Sequence, residues 1–196
     1  MRRFLPAALL AALIGFSACE GARSAEAPAE TGKSEVAPEA LNKLYDRLAK
    51  TRFAEEAQGI LAEIDSLRLH SGSDTADLLL ARALQARASA NLDVALPLFD
   101  AVVDLYPDWS EGWSERATAR FQSGDVSGAM GDLAQTLKRE PRDVGALAGV
   151  GSILLDAGNP EAALRVYDRA LALAPAYEPL QEARARAQNS VWSRSP

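Results

Sequence analysis

The 196-residue chain contains one cysteine, Cys19, and one histidine, His70. A lone cysteine cannot form an intramolecular disulfide, and this pair of residues is too little for a zinc finger or a cysteine–histidine nucleophile. Lysine and arginine are also outnumbered, 21 against 27 acidic residues, for a net charge of -6. Because nucleic acids are bound by clustered basic side chains, this balance disfavours nucleic acid as a partner.

Strand-forming residues are scarce as well. Valine, isoleucine and threonine together number 18, whereas the chain holds 39 alanines and 27 leucines. Alanine and leucine are strong helix formers, and β-branched residues favour strands. The composition therefore predicts an all-α protein and argues against a β-sandwich or an α/β sheet.

The first eighteen residues read as a secretory signal. Two arginines follow Met1, and residues 4–16 are uncharged and mainly apolar. As a helix these residues would rise about 20 Å, which is too short to cross a hydrocarbon core of about 30 Å. A basic start, a short apolar run and then small residues are typical of an export signal.

Cys19 follows this signal in the segment Phe16-Ser17-Ala18-Cys19. The segment resembles the lipoprotein box of bacteria, in which the signal is cut before the cysteine and the thiol receives a lipid. That resemblance implies an exported protein, anchored to a bacterial membrane and exposed to the periplasm. Ordinary signal cleavage after Ala22 or Ala25, with release into the periplasm, is the alternative.

Residues 19–37 have almost nothing to bury, because Val36 is their only aliphatic side chain larger than alanine. They also lack any periodic apolar pattern, so we interpret this segment as a flexible tether.

A 34-residue period fills the remainder of the chain. Prolines recur at 107, 141 and 175, and alanines at 95, 129 and 163. Other positions of the repeat keep the size of their residue. Large residues recur at Leu79, Trp113 and Leu147 and at Phe99, Leu133 and Tyr167, and small residues recur at Ala83, Ala117 and Gly151 and at Ala90, Gly124 and Gly158. Agreement at so many phases predicts three structural repeats, residues 76–109, 110–143 and 144–177.

These positions resemble the tetratricopeptide repeat (TPR), a helix-turn-helix unit of 34 residues. The resemblance implies a right-handed α-solenoid and a role in binding other proteins or peptides. The residue sizes agree with it, since small side chains let two helices approach and a proline stops each second helix. Short helices of this kind are stabilised mainly by stacking on their neighbours.

Flanking elements extend the array at both ends. Residues 38–75 match the pattern of a helix pair at an offset of 38 rather than 34, which predicts a degenerate fourth pair with a longer link. Asp74 or Thr75 is the expected cap of the helix after that link. Residues 178–191 form an amphipathic capping helix. The segments 71–79 and 145–151 also resemble exported repeat proteins of proteobacteria.

The concave groove of such a solenoid is lined by the first helix of each pair. The side chains that we place there are Leu80, Leu84, Arg87, Ser114, Thr118, Phe121, Ala148, Ser152 and Leu155. The lysines and asparagines with which the family grips a C-terminal carboxylate are missing at these positions, so a chaperone-type clamp is not expected. The groove suits a peptide or helix, or it is partly filled by the protein's own N-terminal helix.

Several residues near the groove have two interpretations. Arg87, with Arg116 and Arg120 nearby, either contacts a ligand or forms salt bridges. Trp113 is expected in the core, and Trp109 is either an exposed contact or a packed turn residue. The glycines at 145 and 149 would allow close approach of a partner backbone or of another helix.

Little in the sequence points to catalysis. His70 has no second histidine or catalytic cysteine, and the adjacent Glu55 and Glu56 would splay around a helix. We expect no catalytic residue, metal or cofactor. The leading hypothesis is a non-catalytic adaptor that is attached to a membrane through Cys19 and binds proteins in the periplasm. A soluble periplasmic binder of a peptide or small ligand is the runner-up, and an assembly subunit with a filled groove is a third option.

Overall fold

A computed structural model describes residues 36–193, and in this part of the chain the regular structure is entirely α-helical. The predicted signal at 1–18, Cys19 and all but the last two tether residues lie outside the described residues. The helices are α1 (Val36–Lys50), α2 (Ala54–Arg68), α3 (Asp74–Ala88), α4 (Leu92–Leu105), α5 (Ser110–Gln122), α6 (Val126–Arg139), α7 (Val144–Asp156), α8 (Pro160–Leu173) and α9 (Glu178–Trp192).

Helices α3 to α8 form the three antiparallel pairs that the period predicts. The turn inside each pair passes through one residue with positive φ, namely Ala90 at 57°, Gly124 at 88° and Gly158 at 77°. A left-handed residue just past a helix end satisfies the last carbonyls and reverses the chain, and glycine does this without steric cost. Ala90 adopts a positive φ as well, although it carries a Cβ atom.

Close packing within a pair is clearest in the third repeat. A Cβ placed on Gly151 of α7 would lie 2.5 Å from Cε1 of Tyr167 on α8. The tyrosine is 2% exposed, so its ring occupies the space that a larger residue at 151 would need. The small–large pattern of the sequence therefore reflects direct contact between the two helices.

The start of α3 differs from its prediction. Ser73 is the N-cap, because its hydroxyl accepts the backbone N–H of Ala76 at 3.5 Å, whereas Asp74 is already the first helical residue. The expected cap at Asp74 or Thr75 is therefore wrong by one or two positions. The shift has a local cause: Asp77 is held by the hydroxyl of Ser71 at 2.6 Å, and the hydroxyl of Ser71 accepts the backbone N–H of Ser73 at 3.0 Å.

The N-terminal pair α1–α2 forms as predicted but does not stack on α3 as a preceding repeat would. Instead α1 contacts α8, and the buried Leu48 and Ile64 belong to the same apolar cluster as Leu147 and Tyr167 of the third repeat. Residues 44–64 thus cover a part of the solenoid that lies far from them in sequence.

Helix α2 crosses the starts of the solenoid helices in reverse order. Its first turn lies near the start of α9, where Phe53 and Tyr177 border the same cleft. Its last residue, Arg68, reaches Asp143 before α7 and Glu111 at the start of α5. The link at 69–73 leads to α3 and is only one residue longer than the links at 106–109 and 140–143. The rest of the offset of 38 residues comes from the helices, because α2 is one residue longer than α4 and α3 is two residues longer than α5, so the predicted longer link is only a small part of it.

Helix α9 is the last helix of the described residues. Helix α9 packs on α8 as the expected capping helix, with Leu180 and Ala187 almost fully buried. Within residues 36–193, no helix is long and apolar enough to cross a membrane.

Candidate functional site

A cavity of about 420 Å³ opens between α5 and α7, the first helices of the second and third repeats. Residues of four elements form its wall, and they are Asp65, Arg68 and Leu69 at the end of α2; Glu111, Ser114, Glu115, Ala117, Thr118 and Phe121 on α5; Ala129 and Leu133 on α6; and Asp143, Gly145, Ala146, Gly149, Ser152 and Ile153 at α7. The cavity thus lies in the groove that the repeat pattern predicts.

Four of the predicted groove residues line this cavity, namely Ser114, Thr118, Phe121 and Ser152. The others lie elsewhere. Leu80 is 1% exposed and belongs to the core of the first repeat, where Leu84 packs against it. Ala148 and Leu155 pack against the cluster around Leu147 and Tyr167. Adjacent helices cover Leu80, so its predicted place in the groove is wrong. Leu84, Ala148 and Leu155 are only partly buried, and they lie outside the lining of this cavity.

Arg87 is not a free cation in the groove. Its Nη2 lies 2.5 Å from Oε2 of Glu115 on the next repeat, and both side chains are about one-fifth exposed. The salt-bridge interpretation of this arginine is therefore the one that the structure supports.

The end of α2 closes the cavity on one side through Arg68. Its Nη2 lies 2.5 Å from Oδ2 of Asp143 and 2.9 Å from Oε2 of Glu111, and all three side chains are at least nine-tenths buried. Asp143 also caps α7 by accepting the backbone N–H of Ala146 at 2.8 Å. The end of α2 therefore forms one wall of the cavity, which differs from the alternative that the N-terminal helix partly fills the groove.

The second arginine group has a structural role. Nε and Nη2 of Arg116 donate to the two carboxylate oxygens of Asp132 at 2.8 and 2.7 Å. Arg120 reaches the same carboxylate at 3.0 Å. These arginines join α5 to α6, which confirms their salt-bridge interpretation.

Burial shifts the ionisation of two carboxyl groups in the cavity wall. Desolvation raises the pKa of Glu111 to about 7, although the Arg68 guanidinium acts in the opposite direction. Desolvation also raises the pKa of Glu115, and the Arg87 guanidinium acts in the opposite direction.

The part of the cavity away from these carboxyl groups is apolar. Ala117, Leu133 and Ile153 belong to one buried cluster there, and the Phe121 ring is 43% exposed beside it. A Cβ on Gly149 would lie 3.3 Å from the Leu133 side chain, so this glycine lets α7 approach α6. Gly145 has only Asp143 nearby, at 3.4 Å, and leaves space at the cavity.

The tryptophans differ from expectation in one case. Trp109 packs against the core of the first repeat and donates its indole N–H to the Arg68 carbonyl at 2.9 Å, so it is a packed turn residue. Trp113 is only half-buried. The guanidinium groups of Arg116 and Arg139 each lie over its ring, 4.9 Å from the ring centre, so the expected core position is wrong.

The single histidine of the chain does not line the cavity. His70 lies in the link after α2, exposed, with Nδ1 3.0 Å from the Ser66 carbonyl oxygen. Among residues 36–193 no three carboxylate, imidazole or thiol groups converge as they would around a metal ion.

Sequence reasoning missed the charged end of the cavity. Arg68, Glu111 and Asp143 come from three segments of the chain, and only the return of α2 along the solenoid brings them together. The available signal for this charged end was an acidic residue near the start of each repeat, but helix capping explains such residues equally well.

Stacked helix pairs with a groove along their first helices define the class of helical repeat proteins. A family model described as tetratricopeptide repeat matches residues 80–135 and 114–178. A TPR repeat-containing protein of Rhizobium etli is 35% identical over 142 residues, which are 72% of this chain and 70% of that protein. The chain belongs to the tetratricopeptide repeat family.

Solved structures show the same fold. The TPR2B domain of yeast Sti1, in complex with pHsp70, matches 60% of this chain and 98% of its own at a TM-score of 0.56 and 15% identity. The Yersinia enterocolitica type III secretion chaperone SycD, in complex with a peptide of the translocator YopD, matches 62% of this chain and 92% of its own. Its TM-score is 0.54, with 18% identity.

Proposed function

We propose that this protein is a non-catalytic adaptor that binds a partner peptide or helix in the cavity between α5 and α7. The observation that carries the proposal is the position of this cavity, which opens between the first helices of two stacked repeats. Sti1 and SycD have this fold and are described in complex with pHsp70 and with a YopD peptide, respectively, which supports a protein or peptide as the ligand class.

The proposed setting is the periplasmic face of a bacterial membrane, with the chain attached through a lipid on Cys19. The support is the sequence of residues 1–19, with its basic start, its short apolar run and its cysteine after two small residues. An acidic chain with this organisation would work as a tethered scaffold.

Site-specific photo-cross-linking in cells tests the binding groove. A benzoylphenylalanine in place of Thr118 or Ser152, both exposed at the cavity, should cross-link a discrete protein. The matched control replaces Arg165, which is exposed on α8 outside the cavity. Equal cross-linking from all three positions, or none from the two groove positions, would contradict the proposed binding site.

Fractionation of cells tests the anchor separately. The wild-type protein should sediment with membranes, and Cys19→Ala should appear in the soluble periplasmic fraction. If both forms are released into the soluble fraction, the anchor is absent.

A soluble periplasmic ligand binder is the second candidate, and the cavity itself favours it. A volume of about 420 Å³ lies within the range of pockets that take small molecules, about 300–1,000 Å³. This candidate predicts that the groove positions yield no protein cross-link and that Cys19→Ala leaves the location unchanged.

A further inference from the structure

We propose that the cavity between α5 and α7 takes a cationic head on an aliphatic stem, as in a lysine or arginine side chain of the partner. The inference deepens the proposed function and rests on it, because it names the chemistry that the groove would select.

The two ends of the cavity differ in polarity. At one end the walls are carboxyl groups, with Glu111 and Glu115 one helical turn apart on α5. At the other end they are apolar, formed around Leu133 and Ile153. A ligand with an apolar stem and one polar head matches this gradient, since each part meets groups of its own kind.

The wall carries an excess of negative groups. Four acidic residues line it, Asp65, Glu111, Glu115 and Asp143, against one lining arginine, Arg68. Arg87 lies outside the lining and pairs with Glu115. Once the Glu111 carboxyl group is ionised, four carboxylates outnumber the two guanidinium groups, and this excess favours a positively charged head over the carboxylate of a ligand.

The carboxylate oxygens of the cavity wall have spare capacity to accept hydrogen bonds from the same head. Oε2 of Glu111 lies 2.9 Å from Nη2 of Arg68, and Oε2 of Glu115 lies 2.5 Å from Nη2 of Arg87. Each oxygen is thus ion-paired with one guanidinium group but accepts no further hydrogen bond. The Glu111 side chain is 9% exposed and lines the cavity. An ammonium or guanidinium group brings several N–H donors, and buried carboxylate oxygens gain most from such donors.

The ionisation of this end predicts how binding depends on pH. The groups that face Glu111 are Asp65 and Arg68 of α2, Glu115 of its own helix and Asp143 before α7. Because burial raises the pKa of Glu111 to about 7, part of the Glu111 population carries a proton at neutral pH. An entering cation favours the ionised carboxylate, so affinity should increase between pH 6 and pH 8 as that proton is released.

The test uses the purified, ¹⁵N-labelled chain and two small probes of equal length, n-hexylamine and n-hexanoate. Hexylamine should shift the backbone amide signals of Ser114, Gly145 and Gly149 with a saturable, millimolar dissociation constant that decreases from pH 6 to pH 8. Hexanoate should leave these signals unchanged. The readout is local, so it separates cavity binding from general surface effects.

Matched variants locate the charge that is responsible. Glu115→Gln should weaken hexylamine binding about tenfold, whereas Glu161→Gln, an exposed acid on α8 outside the cavity, should leave it unchanged. Equal shifts with hexanoate, no saturable shift with up to about 50 mM amine, or equal losses in both variants would overturn the inference. A partner cross-linked at Thr118 without any amine binding would refute this inference alone, and amine binding without a protein partner would refute only the adaptor.

Discussion

At the scale of single residues, the repeat places the same ion pair in two environments. Arg116 of α5 and Arg184 of α9 stand 68 residues apart, two repeat lengths, and each pairs with an aspartate 16 residues earlier, Asp100 or Asp168. Arg116 is 8% exposed because it also binds the buried Asp132, whereas Arg184 and its partner remain exposed to water. We therefore expect the two ion pairs to contribute differently to the free energy of unfolding, although they occupy the same position in the repeat.

Replacing each arginine by methionine measures this difference. Arg116→Met should lower the free energy of unfolding by about 3 kcal/mol, because it removes a bidentate partner from a buried carboxylate. Arg184→Met should change it by less than about 1 kcal/mol, as for exposed pairs. Urea unfolding followed by circular dichroism gives both values. Equal effects of the two substitutions would show that Asp132 does not depend on Arg116.

Glu111 makes stability depend on pH in an unusual direction. Folding raises its pKa from 4.5 to about 7, so the folded state binds the proton more tightly than the unfolded state. The resulting contribution is fully present below the unfolded pKa and is lost as pH rises through the folded pKa. Stability should therefore decrease between about pH 4.5 and pH 7 on account of this group.

Glu111→Gln removes that dependence, because the amide is uncharged at every pH. Unfolding curves at pH 5 and pH 8 should show little change at pH 5 and a gain of about 1–2 kcal/mol at pH 8, relative to wild type. Glu161→Gln is the matched control on an exposed helix face and should alter neither value. A loss of stability at pH 8 would mean that the ion pair with Arg68 outweighs the cost of burial.

At the scale of helices, two glycines with opposite surroundings distinguish packing from helix propensity. Gly151→Ala should lower the free energy of unfolding by about 1–3 kcal/mol, because the added methyl group meets the Tyr167 ring at 2.5 Å. Gly131→Ala on α6 has nothing within 4 Å and should raise it by about 0.5–1 kcal/mol. Thermal or urea unfolding measures both changes. If both substitutions stabilise the protein, the α7–α8 contact can accommodate a methyl group at position 151 without cost.

The helices were largely predictable because their signals are local or periodic. Turn residues at 90, 124 and 158 and the small residues at 83, 117 and 151 recur at the repeat length, so comparison of repeats locates each pair. Trp113 departed from its prediction because its position in the repeat matches Leu79 and Leu147, whereas the guanidinium groups of two arginines lie over its ring. The periodic pattern of one helix does not show which side chains of another helix will pack over it.

The candidate site was only half predictable for the same reason. Ser114, Thr118, Phe121 and Ser152 follow from the helix face that the repeat assigns to the groove. The place of Arg68 could not be predicted, because the apolar stripe of α1 and α2 does not indicate which surface of the solenoid these helices pack against.

At the scale of the whole described region, the return of α1–α2 over the third repeat can be tested by distance. A nitroxide on Lys43→Cys, in a Cys19→Ser background, lies next to Asn42, whose side-chain oxygen accepts a hydrogen bond from Arg142 at 2.6 Å. The label should therefore broaden the amide signals of Arg142 and Asp143 and spare those of α3. Lys43 is suitable because its side chain is 72% exposed and makes only an i,i+4 salt bridge with Glu39, which contributes about 0.5 kcal/mol at most. Broadening in α3 instead would place the pair as a stacked fourth repeat, and the groove would then lack the wall that Arg68 provides.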